Sequence, residues 1–180
     1  MSVDVIDLAK KQVKSADPRF LMMGQLHQHC FSAVMYPPFF NKAVDLPNLV
    51  WKKCKFEAIN RNGLPKKQGV YAFAIEVSYP NLPPNCYILY VGKAGDLNSN
   101  NTIWHRYYDY LRCQKTFDRP RIGEMLNMWK EHIVYFHAEV DPGISTGDVE
   151  KMLTTIFVPP YNRADFTGEV ADLLKGANIL

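Results

Sequence analysis

The sequence lacks the cysteine pairs and the long apolar runs that mark several classes of protein. Its 180 residues include only four cysteines, and no two of them form a C-x-x-C pair. A zinc framework is therefore not expected, and the chain is long for a scaffold held together by disulfides. The apolar runs are far shorter than a membrane span, and the start, MSVDVIDLAKKQ, shows no secretory-signal pattern. These absences predict a cytoplasmic protein with reduced thiols.

A strong charge of one sign is also absent, since 21 basic and 18 acidic residues leave a net charge of +3. Such an excess is compatible with a nucleic-acid partner but does not indicate one. The basic residues are more informative where they cluster, between Trp51 and Lys67, with Glu57 as the only acid among them. They are Lys52, Lys53, Lys55, Arg61, Lys66 and Lys67. This segment is either a solvated surface or a patch that contacts DNA phosphates and releases their counterions.

The chain alternates between strand-like and helix-like segments. Runs of β-branched and aromatic residues predict strands over residues 70–77, 86–92 and 133–140. Apolar periodicity and capping signals predict helices over residues 3–14, 102–113, 118–129, 145–157 and 167–175. In the helix over 102–113, Trp104, Tyr108 and Leu111 lie on one face.

This order of elements predicts an α+β fold, with a small, mostly antiparallel, three-stranded central sheet flanked by helices. A length of 180 residues suits one domain with a sizeable core. Residues 67–180 are expected to form that domain. Residues 1–66 are then an N-terminal extension for DNA contact or dimerisation.

Five short motifs occur in order along these elements. They are Gly69-Val70-Tyr71, Tyr90-Val91-Gly92-Lys93, Arg106 with Tyr110, Glu150, and Asn162. This ordered set resembles the GIY-YIG nuclease family, with valine in place of isoleucine in both tripeptides. It is most similar to the incision domain of bacterial nucleotide-excision repair. There, too, a lysine follows the second motif, a tyrosine lies four residues after the arginine, and an asparagine lies twelve residues after the glutamate.

The resemblance implies the GIY-YIG endonuclease fold over residues 69–162 and a metal-dependent endonuclease that hydrolyses DNA phosphodiester bonds. It implies double-stranded DNA as the partner, magnesium or manganese as the cofactor, and a bacterial or phage-infected cell as the setting. The residues that carry the activity are then Tyr71, Tyr90, Lys93, Arg106, Tyr110, Glu150 and Asn162.

Glu150 suits the part of metal ligand. In-line cleavage of a phosphodiester needs a deprotonated water, charge neutralisation at the phosphoryl oxygens and help for the leaving alkoxide. A divalent ion supplies the last two, and magnesium prefers oxygen ligands. Glu150 falls at the edge of the apolar stripe of its helix, where a partly desolvated carboxylate needs a partner. The alternative is a salt-bridged glutamate at the rim of the core.

The other motif residues suit water activation and phosphate binding. Arg106 and Tyr110 share a helix face and are expected to hold the phosphate, with Arg112 as the alternative arginine. The resemblance makes Tyr71 the base, aided by Lys93. A tyrosine pKa near 10 then has to be lowered by a nearby cation, which is Lys93 or the metal.

Several alternatives stay open for the roles and for the protein as a whole. The general base is Tyr71 or another group, and His105 is a less favoured candidate for that role. Tyr90 bonds the nucleophile or the phosphate, and Asn162 braces the site. The whole protein is a restriction, defence or phage-encoded nuclease, a non-catalytic nucleic-acid-binding module of the same fold, or a ribonuclease. Specificity is expected from residues 1–66, from loops or from a homodimer.

Overall fold

The computed structural model describes residues 18–31, 33–96, 99–162, 166 and 168–177. The chain divides into two units, Met1–Ser32 and Ala33–Leu180. The first unit contains one described helix, α1, over Pro18–Gln28. The helix predicted over residues 3–14 lies outside the described residues.

The second unit contains the sheet. Its strands are β1 (Lys52–Lys55), β2 (Gly69–Val77), β3 (Asn85–Ala94) and β4 (Ile133–Glu139). Its α-helices are α2 (Pro37–Asn41), α3 (Ile103–Thr116), α4 (Pro120–Met128), α5 (Thr146–Phe157) and α6 (Gly168–Gly176). Short 3-10 helices span Lys42–Asp45 and Ala58–Gly63. The three predicted strands and the helices predicted from residue 102 onwards are therefore confirmed, with small shifts at their ends. None of the described helices is both long enough and apolar enough to span a bilayer.

The sheet has four antiparallel strands in the order β1-β4-β2-β3. The α+β class with helices around an antiparallel sheet is confirmed, but the predicted number of three strands was wrong. The additional strand, β1, has the sequence Lys-Lys-Cys-Lys and pairs only with β4. An edge strand rich in lysine has no apolar alternation to reveal it, although lysine is common on such edges. The unit that contains the sheet thus begins before residue 67.

The central strand, β2, is buried on both faces because helices cover each of them. Its first seven residues are buried. On one face Val70 and Ala72 pack with Val149 and Leu153 of α5, and we call this the α5 face. On the other face Tyr71 packs against aromatic rings that include Tyr110 of α3, and we call this the α3 face. The two faces alternate along the strand because successive side chains point to opposite sides.

Helix α3 buries a different stripe from the one that the sequence indicates. Its buried residues are Ile103, Tyr107, Tyr110 and Cys113. Tyr108 of the expected stripe is 47% exposed. Tyrosine can line the core here because each buried hydroxyl of Tyr107 and Tyr110 has a hydrogen-bond partner. The face that carries Tyr110 is therefore the packed face of the helix.

Candidate active site

The two tyrosine motifs meet because β2 and β3 are hydrogen-bonded neighbours. Tyr71 lies opposite Gly92, and Phe73 lies opposite Tyr90, so all four residues lie on the α3 face. A Cβ atom added at Gly92 would lie 2.5 Å from the hydroxyl oxygen of Tyr71. The glycine of the second motif thus makes room for the tyrosine of the first.

Three tyrosine hydroxyls and one arginine form a connected cluster on this face. The hydroxyls of Tyr71 and Tyr110 lie 2.9 Å apart. Arg119 donates one hydrogen bond to Tyr110 Oη at 3.1 Å and another to Tyr90 Oη at 3.3 Å. The guanidinium therefore links the first and second tyrosine motifs through Tyr110.

Arg119 is a site residue that the sequence did not reveal. It lies at the N-cap of α4, directly before Pro120, where the sequence indicates only the start of a helix. Its partner Tyr90 is 29 residues away in the chain. A contact at that distance leaves no local pattern, and Arg119 belongs to none of the five motifs.

Arg106 reaches the same cluster from α3. Its Nε donates to the backbone oxygen of Lys93 at 3.4 Å. Its positive charge acts to lower the pKa of the Tyr71 hydroxyl. Arg106 also lies 3.6 Å from a carboxylate oxygen of Asp109. Arg112 lies 3.9 Å from Asp109 and 3.5 Å from Asp118, and it forms no hydrogen bond with a tyrosine in the part of the chain that the structure describes. Of these two arginines, the geometry associates Arg106 with the tyrosines.

Burial raises the pKa of two tyrosines of the cluster, Tyr71 and Tyr110. Desolvation raises the pKa of Tyr71 well above its usual value, while the charge of Arg106 acts in the opposite direction and is outweighed. Desolvation likewise raises the pKa of Tyr110 well above its usual value. The cation that acts on Tyr71 is thus Arg106 rather than Lys93, and the hydroxyl retains its proton.

Lys93 lies on the α5 face, opposite Val70 in the β2–β3 register. Its Nζ lies 2.7 Å from a carboxylate oxygen of Asp96. A Cβ atom added at Gly147 would lie 2.7 Å from Lys93 Nζ, so this ion pair packs against the first turn of α5. Thr146 strengthens the same junction by donating a hydrogen bond to the carbonyl of Gly95 at 2.6 Å.

Glu150 lies one turn along α5 from Gly147. At 100° per residue, it falls within the buried arc of the helix, between Thr146 and Thr154. The residue itself is half-buried. Glu150 therefore lies on the same side of α5 as Gly147, the residue that contacts Lys93. The structure thus places Arg106 and Glu150 on opposite faces of the sheet. Lys93 contacts Arg106 through its backbone oxygen and Gly147 of α5 through its side chain.

Zinc and magnesium need different sets of protein ligands. Among the residues that the structure describes, no group of three or more His, Cys, Asp or Glu side chains is arranged to hold a metal ion. A protein zinc site needs at least three such ligands. Magnesium keeps several waters and binds through one or two carboxylates together with substrate phosphate. A single half-buried carboxylate at Glu150 fits that mode.

Asn162 supports the strand that carries the second motif. Its side-chain oxygen accepts a hydrogen bond from the backbone N–H of Val91 at 2.8 Å, and its amide nitrogen donates to the Val91 carbonyl at 2.9 Å. The neighbouring Tyr161 N–H donates to the Leu89 carbonyl at 3.1 Å. Asn162 is only 1% exposed, so this clamp is shielded from water.

The remaining candidates lie apart from the tyrosine cluster. His105 is exposed and its Nδ1 lies 2.8 Å from Thr102 Oγ1 at the start of α3. Three of the six basic residues in the segment before β2 pair with acidic side chains, which reduces their joint charge. These pairs are Lys53 with Glu76, Lys55 with Glu57, and Lys67 with Glu139.

Comparisons of the chain with protein-family models, with curated proteins and with solved structures find no match.

Proposed function

We propose that the protein is a divalent-metal-dependent endonuclease that hydrolyses DNA phosphodiester bonds. The observation that carries the proposal is the cluster of Tyr71, Tyr90 and Tyr110 with two guanidinium groups, at the end of β3. Lys93 at that strand end packs against the helix that bears Glu150. Positive charge beside hydroxyl donors suits a phosphoryl group, on which negative charge is spread in the transition state.

The two arginines are assigned to the phosphate. A guanidinium offers a planar fork of donors that matches two phosphoryl oxygens. Arg106 and Arg119 both retain part of their surface while they contact the tyrosines. The Tyr90 hydroxyl hydrogen-bonds a phosphoryl oxygen or the attacking water and keeps its proton, and Asn162 holds β3 in place beneath it.

Water activation is assigned to Tyr71, whose nearby cation is Arg106, while Lys93 on the opposite face pairs with Asp96 beside α5. Because burial holds the pKa of Tyr71 high, only a small and pH-dependent fraction of the hydroxyl is ionised near neutrality. If Tyr71 is the base, the cleavage rate rises about tenfold per pH unit from about pH 7 to about pH 10, with no plateau below that. A plateau that begins near neutral pH in a pH–rate profile would assign the base to another group.

Glu150 is assigned to hold magnesium or manganese. When bound, such an ion supplies charge neutralisation at the phosphoryl oxygens and at the leaving alkoxide. The assignment is supported by the half-buried position of Glu150 on α5 and by the Lys93–Asp96 pair, which packs against the first turn of that helix.

The direct test is cleavage of supercoiled plasmid by the full chain with magnesium, with and without a chelator. Glu150→Gln keeps the shape of the side chain and removes its charge. Glu124→Gln makes the same change at an exposed position of α4 and is the matched control. We expect nicked or linear products from the unaltered chain and from the control, and none from Glu150→Gln or in chelator.

Several plasmids and phage genomes are needed as substrates, because a sequence-specific enzyme spares DNA that lacks its site. Labelled RNA of matching sequence, incubated in parallel, separates this proposal from a ribonuclease. Cleavage that persists both in chelator and in Glu150→Gln would rule out the assigned metal ligand. Binding of DNA without cleavage of any substrate would indicate a non-catalytic binding module.

A further inference from the structure

The 3-10 helix before β2 carries an arginine held between two aromatic rings of α3. The guanidinium carbon of Arg61 lies 3.4 Å from the ring centre of Trp104 and 4.2 Å from that of Tyr108. Stacking of this kind fixes the plane of a guanidinium and leaves the donors along its edge available for hydrogen bonds. Arg61 is therefore preorganised in a way that a solvated arginine is not.

The donors of Arg61 have no acceptor within the part of the chain that the structure describes. Its Nε is buried without a hydrogen-bond partner, and no described carboxylate forms an ion pair with it. A buried N–H that makes no hydrogen bond destabilises the folded chain. Because the Nε is closed to solvent, an anionic acceptor from outside the chain would meet the two terminal nitrogens of this fixed guanidinium.

Arg61 opens onto a cavity of about 490 Å³ whose charged lining residues are mostly basic. Five basic side chains and two acidic ones, Glu57 and Glu131, line it. The basic ones are Arg61, Lys55, Arg112, Lys115 and Lys130. Lys55 pairs with Glu57 at 2.9 Å, whereas Lys115 and Lys130 form no ion pair with any described residue. The lining thus retains an excess of positive charge.

Helix α3 separates this cavity from the candidate active site. Trp104 and Tyr108 point away from the face that carries Arg106 and Tyr110, since they lie about half a turn from Arg106. A helix with its side chains is about 10–12 Å across. This thickness corresponds to about three base pairs of duplex at 3.4 Å each.

We propose that this cavity binds a backbone phosphate of DNA that flanks the phosphate to be cut. This inference rests on the proposed nuclease function and assigns a second contact for the same substrate. Two residues of the basic segment before β2, Lys55 and Arg61, take part, and Lys115 and Lys130 from later in the chain join them. Contacts to phosphates position a duplex without reading its sequence.

The experiment is DNA binding by the full chain in the presence of a chelator, so that cleavage does not occur. The probe is a fluorescently labelled 30-base-pair duplex, and anisotropy gives Kd at several salt concentrations. Arg61→Met removes the guanidinium and keeps an apolar stem beside Trp104. The double variant Lys115→Met/Lys130→Met changes only exposed positions, so it reports on the cavity even if Arg61→Met disturbs folding. Lys175→Met on α6, outside the cavity lining, is the matched control.

We expect Arg61→Met to weaken binding roughly tenfold and to reduce the slope of log K against log salt by about 0.9, the value for one phosphate contact. The double variant is expected to reduce the slope as well, and Lys175→Met to leave it unchanged. If both cavity variants bind with the Kd and slope of the control, the proposal is overturned.

A second arm uses a deoxynucleoside monophosphate as the probe. Arg61-dependent binding of the mononucleotide as tight as that of the duplex would make the cavity a small-ligand site and would also overturn the proposal. Plasmid cleavage is measured separately on the same preparations. If the unaltered chain cuts DNA and the cavity variants bind DNA as the control does, only the proposed phosphate site is refuted. If the cavity variants weaken DNA binding but the unaltered chain cuts no DNA, only the proposed nuclease function is refuted.

Discussion

On the α3 face of the sheet Gly92 lies against the ring of Tyr71, and on the α5 face Gly147 lies against the ammonium group of Lys93. Both glycines permit a close approach, but their neighbours differ. The tyrosine ring is rigid, fully buried and hydrogen-bonded to Tyr110. The lysine is half-buried and ends a flexible chain. The α3 face therefore fixes its groups in one arrangement, while the α5 face holds charged groups that can adjust.

The largest expected effect comes from Arg119, which joins Tyr110 to Tyr90 on the α3 face. Arg119→Met removes a charge and two hydrogen-bond donors from the proposed phosphate site, and we expect the cleavage rate to fall about 100- to 1,000-fold. Arg121→Met is the matched control, since Arg121 is exposed and donates only to the Pro160 carbonyl. Single-turnover cleavage measures both variants. An equal rate for the two would exclude Arg119 from the proposed site.

Gly92→Ala is expected to cost about 1–3 kcal/mol of unfolding free energy, because overpacking displaces a ring that has no alternative space. Gly143→Ala is the control, since a Cβ atom added there has no neighbour within 4 Å. Urea unfolding measures both variants. A Gly92→Ala protein as stable as the control would mean that the Tyr71 ring is not held in place.

Alkaline pH tests the burial of the tyrosines on the α3 face. Because burial raises the folded-state pKa of Tyr71, the folded chain keeps a proton that the unfolded chain loses above about pH 10. The stabilisation is complete below that pH and is lost as pH rises towards the folded-state pKa. Over this range each such tyrosine lowers the unfolding free energy by up to about 1.4 kcal/mol per pH unit.

Tyr71→Phe should make this slope shallower by about the contribution of one proton, measured as unfolding free energy between about pH 9 and pH 11. Tyr79→Phe, at an exposed position, serves for comparison and should leave the slope as it is. An unchanged slope in Tyr71→Phe would show that the Tyr71 hydroxyl titrates equally in both states.

The smallest expected effect on stability is that of Gly147→Ala on the α5 face. The added methyl group meets the end of the Lys93 side chain, which can move, and alanine favours a helix over glycine by about 1 kcal/mol. We therefore expect a change in unfolding free energy of less than about 1 kcal/mol. Urea unfolding of Gly147→Ala beside Gly92→Ala compares the two faces directly, and an equal loss in both would remove the distinction between them.

Periodicity and capping signals in the sequence were enough to predict most elements of the sheet unit. Ser145, for example, caps α5 by accepting from the N–H of Asp148, as its sequence indicates. The edge strand β1 was missed because a run of lysines resembles a loop. The packed face of α3 was assigned wrongly because tyrosines lie on both sides of this helix, and Tyr107 and Tyr110 are buried rather than Tyr108.

The candidate site was likewise predicted from the sequence only in part. Spacing along α3 placed Arg106 and Tyr110 on related faces, and register in the hairpin brought Tyr71 near Tyr90. Neither spacing nor register could reveal Arg119, because it joins the cluster through contacts with distant parts of the chain. The sequence also gave no sign that Lys93 and Tyr71 lie on opposite faces, since the bulge between Phe73 and Ala74 shifts the register of the hairpin.

The amide of Asn162 has a consequence for how copies of this protein can associate. It hydrogen-bonds both the N–H and the carbonyl of Val91, as a neighbouring strand would in a continuous sheet. These two groups are therefore not available to an added strand. A second chain therefore cannot extend the sheet at that point, and the lysines of β1 discourage extension from the opposite border. Loss of this single side chain would also uncover a surface on which chains can stack into aggregates.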